Sequence, residues 1–321
     1  MVAGALRDRN VEPVVLDSSA FPSGLPLTLA YAGPGFHGRW APTTVDEPHD
    51  ISAVWQNIVV GTELPAMAPG MRESCVASSE LAIVGLLESM QVFQLDPAWC
   101  KARADNKPHQ LRVAQRVGLE IPETVVSNDP EAVRAFARRC GPVVMKMLAQ
   151  ATGSGPSADG ESAVMFTTAM TAADLERLDG LDLCPMIFQE QIDNQLDVRV
   201  TLVGNRVFSV ALGATARGGD LDWRRESYAL DRVPVWVPYE LPPEIADRLL
   251  RVRDHFGLNY GAADLIVRPD GRHVFLELNA SGSFAFLGEP HAGLIAAAIA
   301  EVLVDPGARR MASAAGAVLG A

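Results

Sequence analysis

Apolar and polar positions alternate most regularly between Tyr260 and Asn279, in the stretch YGAADLIVRPDGRHVFLELN. An apolar run holding one acid, Asp264, leads into a turn at Pro269, Asp270 and Gly271, and HVFLELN returns the chain; the pattern predicts an antiparallel hairpin. Glu277 and Asn279 are two apart, so both leave one face of the second strand while Leu276 and Leu278 leave the other. Asp264, Glu277 and Asn279 therefore converge. An unpaired carboxylate inside FLELN would be costly, and a cation removes that cost. Two carboxylates and an amide, with no sulfur or imidazole nearby, suit magnesium holding a nucleotide's phosphates; a buried hydrogen-bonded pair is the alternative.

Helical periodicity marks the segments between strands. Leu81, Val84, Leu87 and Glu88 predict a helix over 78–90, capped by Ser78 or Ser79. Leu111, Ala114 and Val117 are the stripe of a helix that Lys107 opens and Gly118 closes. Further helices are expected from an Asp129 cap to Arg139, over 172–178, over 243–256 with Gly257 as the stop, and near the end, where Leu294, Ala298, Ile299 and Val302 face one side. The opening reads as the end of a helix (5–10) and a strand (13–16), half of a β-α-β unit whose first strand is missing, so the start lies late or the lobe is trimmed. Other strands are expected over 27–32, 53–60, 121–126, 184–192, around Lys146, and as a hairpin turning at Gly204 and Asn205. The tail from Arg309 is Ala- and Gly-rich and expected to fray.

Several polar groups interrupt this pattern. Lys146 lies in the apolar run GPVVMKML, where its ammonium either meets an anion such as phosphate or reaches water over a packed stem. The tract ATGSGPSADGES after it is longer than a hairpin needs and has backbone amides suited to phosphate, without the order of a P-loop. Asp197 and Arg199 share a strand face and are expected to pair there, for at most about 1 kcal/mol. Arg224 and Arg225 make an anion clamp or an exposed loop, and His255 is expected as a helix-dipole partner.

Composition narrows the class. A chain of 321 residues, 48% hydrophobic and 21% charged, has material for two or three lobes. The formal net charge of -12 disfavours a nucleic-acid surface. Cys75, Cys100, Cys140 and Cys184 have no CxxC spacing, which fits a reduced, cytoplasmic setting; no signal peptide or membrane span is read.

In order, a lysine before a helix, a lysine on a strand, a glycine-rich loop, the QEQI strand end, DVR, and finally Asp264, Glu277 and Asn279 resemble the ATP-grasp ligases. DWR at 222–224, YGAADLIVRPDG and VFLELNASGSF resemble, within them, the graspetide (microviridin-type) peptide macrocyclases. The resemblance implies an α/β (α+β) ATP-grasp fold in three lobes: an N-terminal pre-ATP-grasp lobe over 1–103, a central lobe over 104–188, and a C-terminal lobe over 189–321, with ATP between the last two. It implies that Lys107 and Lys146 contact ATP phosphates beneath a lid containing Gly153, Ser154 and Gly155, that Glu190, Gln191 and Ile192 receive adenine, and that Asp264, Glu277 and Asn279 hold Mg2+. Arg199 matches an arginine near the transferred phosphoryl group, and Arg224 lies where substrate carboxylates are expected. The chain departs from the NPxGQ and NxSPG patterns after the metal-binding Asn, reading Asn279-Ala280-Ser281-Gly282-Ser283.

The implied activity is ATP-dependent closure of ω-ester or ω-amide rings in a ribosomal precursor peptide, by a homodimer. Such peptides are acidic, so Arg199, Arg217, Arg224 and Arg225 are expected to supply local positive charge. The rivals are a ligase for free amino acids or a protein terminus, and a nucleotide-binding module without turnover.

Overall fold

The computed structural model describes residues 1–32, 35–40, 43–46, 51–56, 64–148, 167–213 and 235–310. The loop 151–162 with Gly153, Ser154 and Gly155, and the arginines Arg217, Arg224 and Arg225, lie outside the described residues.

The first helix, α1, is Val2–Arg7, earlier than the 5–10 expected, and residues 13–16 form no strand. Val14 and Val15 stay exposed, because no neighbouring strand edge takes them up. Strands β1 (Leu27–Ala32), β2 (Gly35–Trp40) and β3 (Thr43–Asp46) make an antiparallel meander, and β4 (Ala53–Trp55) pairs in parallel with β5 (Phe93–Leu95). Between them, α2 (Pro69–Ser89) starts well before Ser78. Pro69 supplies the preset first helical turn and Ala68 is the cap, so the Ser78/Ser79 cap is corrected. The buried face is Ser79, Ile83, Leu86 and Leu87, packed with Phe21 and Trp40, which leaves Leu81 72% exposed.

Next come α3 (Ala98–Ala104) and α4 (Lys107–Arg116). β6 (Thr124–Ser127), β7 (Val143–Lys146), β8 (Thr168–Ala169) and β9 (Met186–Glu190) form an antiparallel sheet ordered β6-β9-β7-β8. On it packs α5 (Pro130–Cys140), whose Asp129 cap accepts from the Glu131 N–H; the short α6 (Ala172–Glu176) precedes β9.

The larger sheet is antiparallel, ordered β12-β11-β10-β13-β14 from β10 (Leu196–Val203), β11 (Arg206–Gly213), β12 (Val237–Pro238), β13 (Tyr260–Val267) and β14 (His273–Asn279). Period two divides β10 cleanly: Val198, Val200 and Leu202 join Leu111 and Ala114 of α4 and Leu249, Val252 and Phe256 of α7 (Pro243–His255) on one face. On the other, Val203 and Tyr260 meet Ile295 and Ile299 of α8 (His291–Val304), which also carries α1. Ala298, Ile299 and Val302 are buried as expected, while Leu294 is 46% exposed and Ile295 takes its place in the α8 stripe.

Strict alternation breaks once. Asp264 lies opposite Glu277 but Leu265 lies opposite Phe275, so Leu276 is an extra residue in β14. Without that bulge Phe275 and Glu277 would share a face; with it, Phe275 is fully buried beside α4 and α7 while Glu277 joins Asp264.

One further reading changes. Arg309 and Arg310 are held, Arg310 by Asp254 at 2.6 Å and Arg309 by the Val302 and Leu303 carbonyls. His255 sits in the last turn of α7, as expected, and burial first, then Arg103, His109 and Arg116, push its pKa down. Among the described residues no helix is long and apolar enough to cross a membrane.

The end of β5 is tied to β13 by a buried acid. Asp96 accepts the N–H groups of Asn259 and Tyr260, each at 2.9 Å, and burial still pushes its pKa up to about 6. The folded carboxyl thus binds its proton more tightly than the unfolded one. This group adds stability as pH falls from about 6 toward 3.8, and that contribution is lost as pH rises through about 6. Urea unfolding at about pH 4.5 and about pH 7 tests this: Asp96→Asn should lose that part of the pH dependence, and an identical pH dependence in wild type and variant would refute it.

Candidate functional site

The β-bulge brings Asp264, Glu277 and Asn279 to one end of the sheet, on the face that α8 covers at its other end. Asn279 Nδ2 donates to Asp264 Oδ2 at 2.9 Å and to Glu277 Oε1 at 3.3 Å. Both acids keep access to solvent, with side chains 28% and 18% exposed.

Each acid also holds a cation. Arg199 lies directly opposite Asp264 across the β10–β13 ladder and donates Nη1 to both carboxylate oxygens, at 2.8 and 2.9 Å. Its Nη2 donates to the Ser283 carbonyl at 3.1 Å, and its guanidinium lies 5.9 Å from the Phe286 ring centre. Arg199 is therefore buried and paired across strands. The surface pair with Asp197 does not form; Asp197 accepts from Asn194 instead. A cross-strand neighbour directly opposite is closer than a residue two along the same strand, and that proximity decides the partner.

Glu277 Oε2 meets Lys107 Nζ at 3.1 Å. Lys107 is placed by the start of α4, where the Asn106 side chain accepts the His109 N–H. One turn on, the buried Gln110 locks the helix to β14, accepting the Leu278 N–H at 2.7 Å and donating to the Leu278 carbonyl at 2.8 Å. Gln110 escaped the sequence reading; a glutamine beside Leu111 in an apolar stripe was the available signal.

The loop after Asn279 closes over this cluster. A Cβ on Gly282 would stand 2.6 Å from Arg199 Nη2 and 2.7 Å from the Ala262 Cβ, so only glycine fits there. The Tyr260 hydroxyl donates to the Gly282 carbonyl, and burial pushes its pKa up to about 12, with Arg199 opposing. It is a support, not a base.

The remaining residues stand on the smaller sheet. Lys146 ends β7, opposite Ile187 of β9, and is half-buried. Glu190 ends β9; its N–H donates to the Glu123 carbonyl, and that of Gln191 to the Pro142 carbonyl at 2.8 Å, so these two amides are committed to the protein. Ile192 is buried. The two sheets meet here: Arg268, beyond β13, pairs with Glu190 at 2.8 Å and with Glu120 at 3.2 Å, and the Phe275 N–H donates to the Glu120 carbonyl. The structure thus brings together Asp264, Glu277, Asn279, Arg199 and Lys107, and sets Lys146 and 190–192 on neighbouring strands of the other sheet.

An all-oxygen set of two carboxylates and a carboxamide, partly open, fits a hard divalent cation such as magnesium. A half-turn of the Asn279 amide presents Oδ1 in place of Nδ2.

Comparison with known proteins divides the chain near residue 103. Residues 1–102 match the model of the MvdD pre-ATP grasp domain, and residues 104–303 that of the RimK-like ATP-grasp domain. The crystal structure of macrocyclase MdnC bound with precursor peptide MdnA, from Microcystis aeruginosa MRC, superposes with a TM-score of 0.81 at 35% identity, covering 95% of this chain and 94% of that one. A Chryseobacterium gregarium RiPP-associated ATP-grasp ligase, in complex with ADP and a leader and core peptide, gives a TM-score of 0.82 at 29% identity, covering 97% and 93%. A probable alpha-L-glutamate ligase of Trichodesmium erythraeum is 28% identical over 205 residues, 62% of this chain; the chain spans 64% of that relative's length. With its α+β ATP-grasp fold, the chain belongs to the RimK-like ATP-grasp family and is similar in structure to the macrocyclase MdnC.

Proposed function

We propose that the chain is an ATP- and Mg2+-dependent ligase that activates Asp or Glu side chains of a ribosomal precursor peptide and closes ω-ester or ω-amide macrocycles. The observation that carries this reading is the cluster itself. Asp264, Glu277 and Asn279 stand beside two paired cations, Arg199 and Lys107, with no serine, cysteine or histidine nucleophile among them. Such a site positions groups and neutralises charge without forming a covalent bond to its substrate. In this reading the chain has three lobes, 1–103, 104–188 and 189–321, and the nucleotide lies between the last two, Lys107 and Lys146 belonging to the central lobe and 190–192 to the C-terminal one.

A peptide carboxylate oxygen attacks the γ-phosphorus, the bond from that phosphorus to the β–γ bridging oxygen breaks, and ADP departs. The resulting acylphosphate is attacked by a hydroxyl or amine of the same peptide, which loses its proton as phosphate leaves. Arg199, fixed in bidentate fashion by Asp264, and Lys107, fixed by Glu277, hold positive charge where phosphate oxygens carry negative charge. Bound at Asp264, Glu277 and Asn279, magnesium would supply charge neutralisation for the nucleotide's phosphates. The glycine-rich lid and Arg224 belong to this reading by resemblance, as do a homodimeric assembly and the cytoplasm. The described cysteines are free thiols, compatible with that compartment.

The relationship to a probable alpha-L-glutamate ligase favours one rival, joining of free amino acids or addition to a protein terminus. Mass spectrometry separates them. An acidic, Thr- or Lys-rich peptide encoded beside this gene should lose water in integral steps when incubated with enzyme, ATP and magnesium. Glu277→Gln and Asp264→Asn should each lower the rate by at least about 100-fold. ATP consumed with a free amino acid while the peptide stays unmodified would establish the rival, and nucleotide bound but never hydrolysed would leave a non-catalytic module.

A second prediction concerns the loop wall. Gly282→Ala should cost about 1–3 kcal/mol in urea unfolding, because the Ala262 Cβ cannot yield. It should also lower the cyclisation rate by displacing Arg199. Wild-type stability and rate in this variant would show that the close approach does not matter.

A further inference from the structure

Behind the loop that follows Asn279 lies a cavity of about 260 Å³, walled by the amino-terminal segment, the ends of β4 and β5, α3, and residues 280–285. It is smaller than the roughly 300–1,000 Å³ typical of cofactor pockets, and admits one or two side chains. Asp264, Glu277, Asn279 and Arg199 do not line it, yet it shares a wall with them: Ser283 faces the cavity, and its carbonyl accepts from Arg199 Nη2 at 3.1 Å.

Its chemistry is uneven. Trp55, Leu95 and Phe284 give apolar walls, Ser281 and Ser283 give hydroxyls, and Lys101 is the charged side chain among the lining residues. Lys101 Nζ donates to the Gln56 carbonyl at 2.6 Å. An ammonium has three N–H groups, and among the described residues no carboxylate lies within ion-pair distance of this one. The nearby Asp96 spends both oxygens on the Asn259 and Tyr260 N–H groups. Burial lowers the Lys101 pKa, with Asp96 and Asp105 opposing, which is the cost an incoming anion would relieve. The apolar walls, the Lys101 ammonium and the serine hydroxyls suit a short hydrocarbon stem ending in a carboxylate. A lysine side chain would be repelled there, and a bare phosphate would leave the apolar walls unmatched.

We infer that this cavity is a subsite for an acidic side chain of the peptide, whose carboxylate pairs with Lys101. The inference rests on the peptide-ligase reading above and deepens it: the peptide is gripped by a carboxylate that is not the one being activated, one loop away from the phosphoryl site.

The test uses the full chain, without nucleotide, and two probes, acetyl-Gly-Glu-Gly-amide and acetyl-Gly-Gln-Gly-amide. Binding is read from the Trp55 indole N–H signal in NMR, assigned with Trp55→Phe. The Glu probe should shift that signal saturably and bind at least about fivefold more tightly than the Gln probe. Lys101→Met should abolish the difference and Lys101→Arg should retain it, with an otherwise unchanged spectrum showing that both variants fold. Equal affinity for the two probes, no saturable shift, or discrimination that survives in Lys101→Met would overturn the assignment. Because no ATP is present, failure of cyclisation leaves this result standing, and failure here leaves cyclisation untouched.

Discussion

Because Asp264 lies opposite Glu277 while Leu265 lies opposite Phe275, β14 carries one residue more than its partner strand, and the site depends on that surplus. The bulge lets one short strand satisfy two incompatible demands. Phe275 and Leu278 enter the core between the sheet and its two helices, while Glu277 and Asn279 turn to the face that holds Asp264 and Arg199. A regular strand would have buried Glu277 beside Phe256 or expelled Phe275 into solvent, and either would be costly. The conflict between packing and chemistry is resolved within the backbone.

Charge follows the same logic of local satisfaction. The chain is acidic overall, but several of its cations are matched individually: Arg199 by Asp264, Lys107 by Glu277, and Arg253 by Asp254 and the Gly204 carbonyl. Breaking one partner of such a pair strands the other in a poor dielectric, so these contacts fix geometry more than they add net stability. Lys101 differs: among the described residues its ammonium meets a carbonyl and no carboxylate within ion-pair distance.

Segments distant in the chain are joined through specific polar contacts. Gln110 reads both backbone groups of Leu278, Asp96 takes two consecutive N–H groups at the start of β13, and Arg268 spans Glu120 and Glu190 where the sheets meet. Each contact anchors a segment within a few residues of the candidate site.

The sequence by itself determined the elements whose signals are local. The Pro269-Asp270-Gly271 and Gly204-Asn205 turns, the Asp129 cap and the glycine stops at 118 and 257 depend on backbone conformations that neighbouring residues dictate. That Glu277 and Asn279 share one face was legible too, because a strand's period is two; that Asp264 joins them rests on the bulge at Leu276, which the alternation does not announce. Tertiary structure alone decided the rest. The phase of α2 follows Ile83 and Leu86 because Phe21 and Trp40 pack against them, and Val14 and Val15, which form no strand, pair with none of the described strands. Arg199 pairs with Asp264, 65 residues away, rather than with Asp197, because register across a ladder sets the nearer neighbour. Periodicity reports which residues share a face; what stands opposite that face is fixed only when distant segments pack against it.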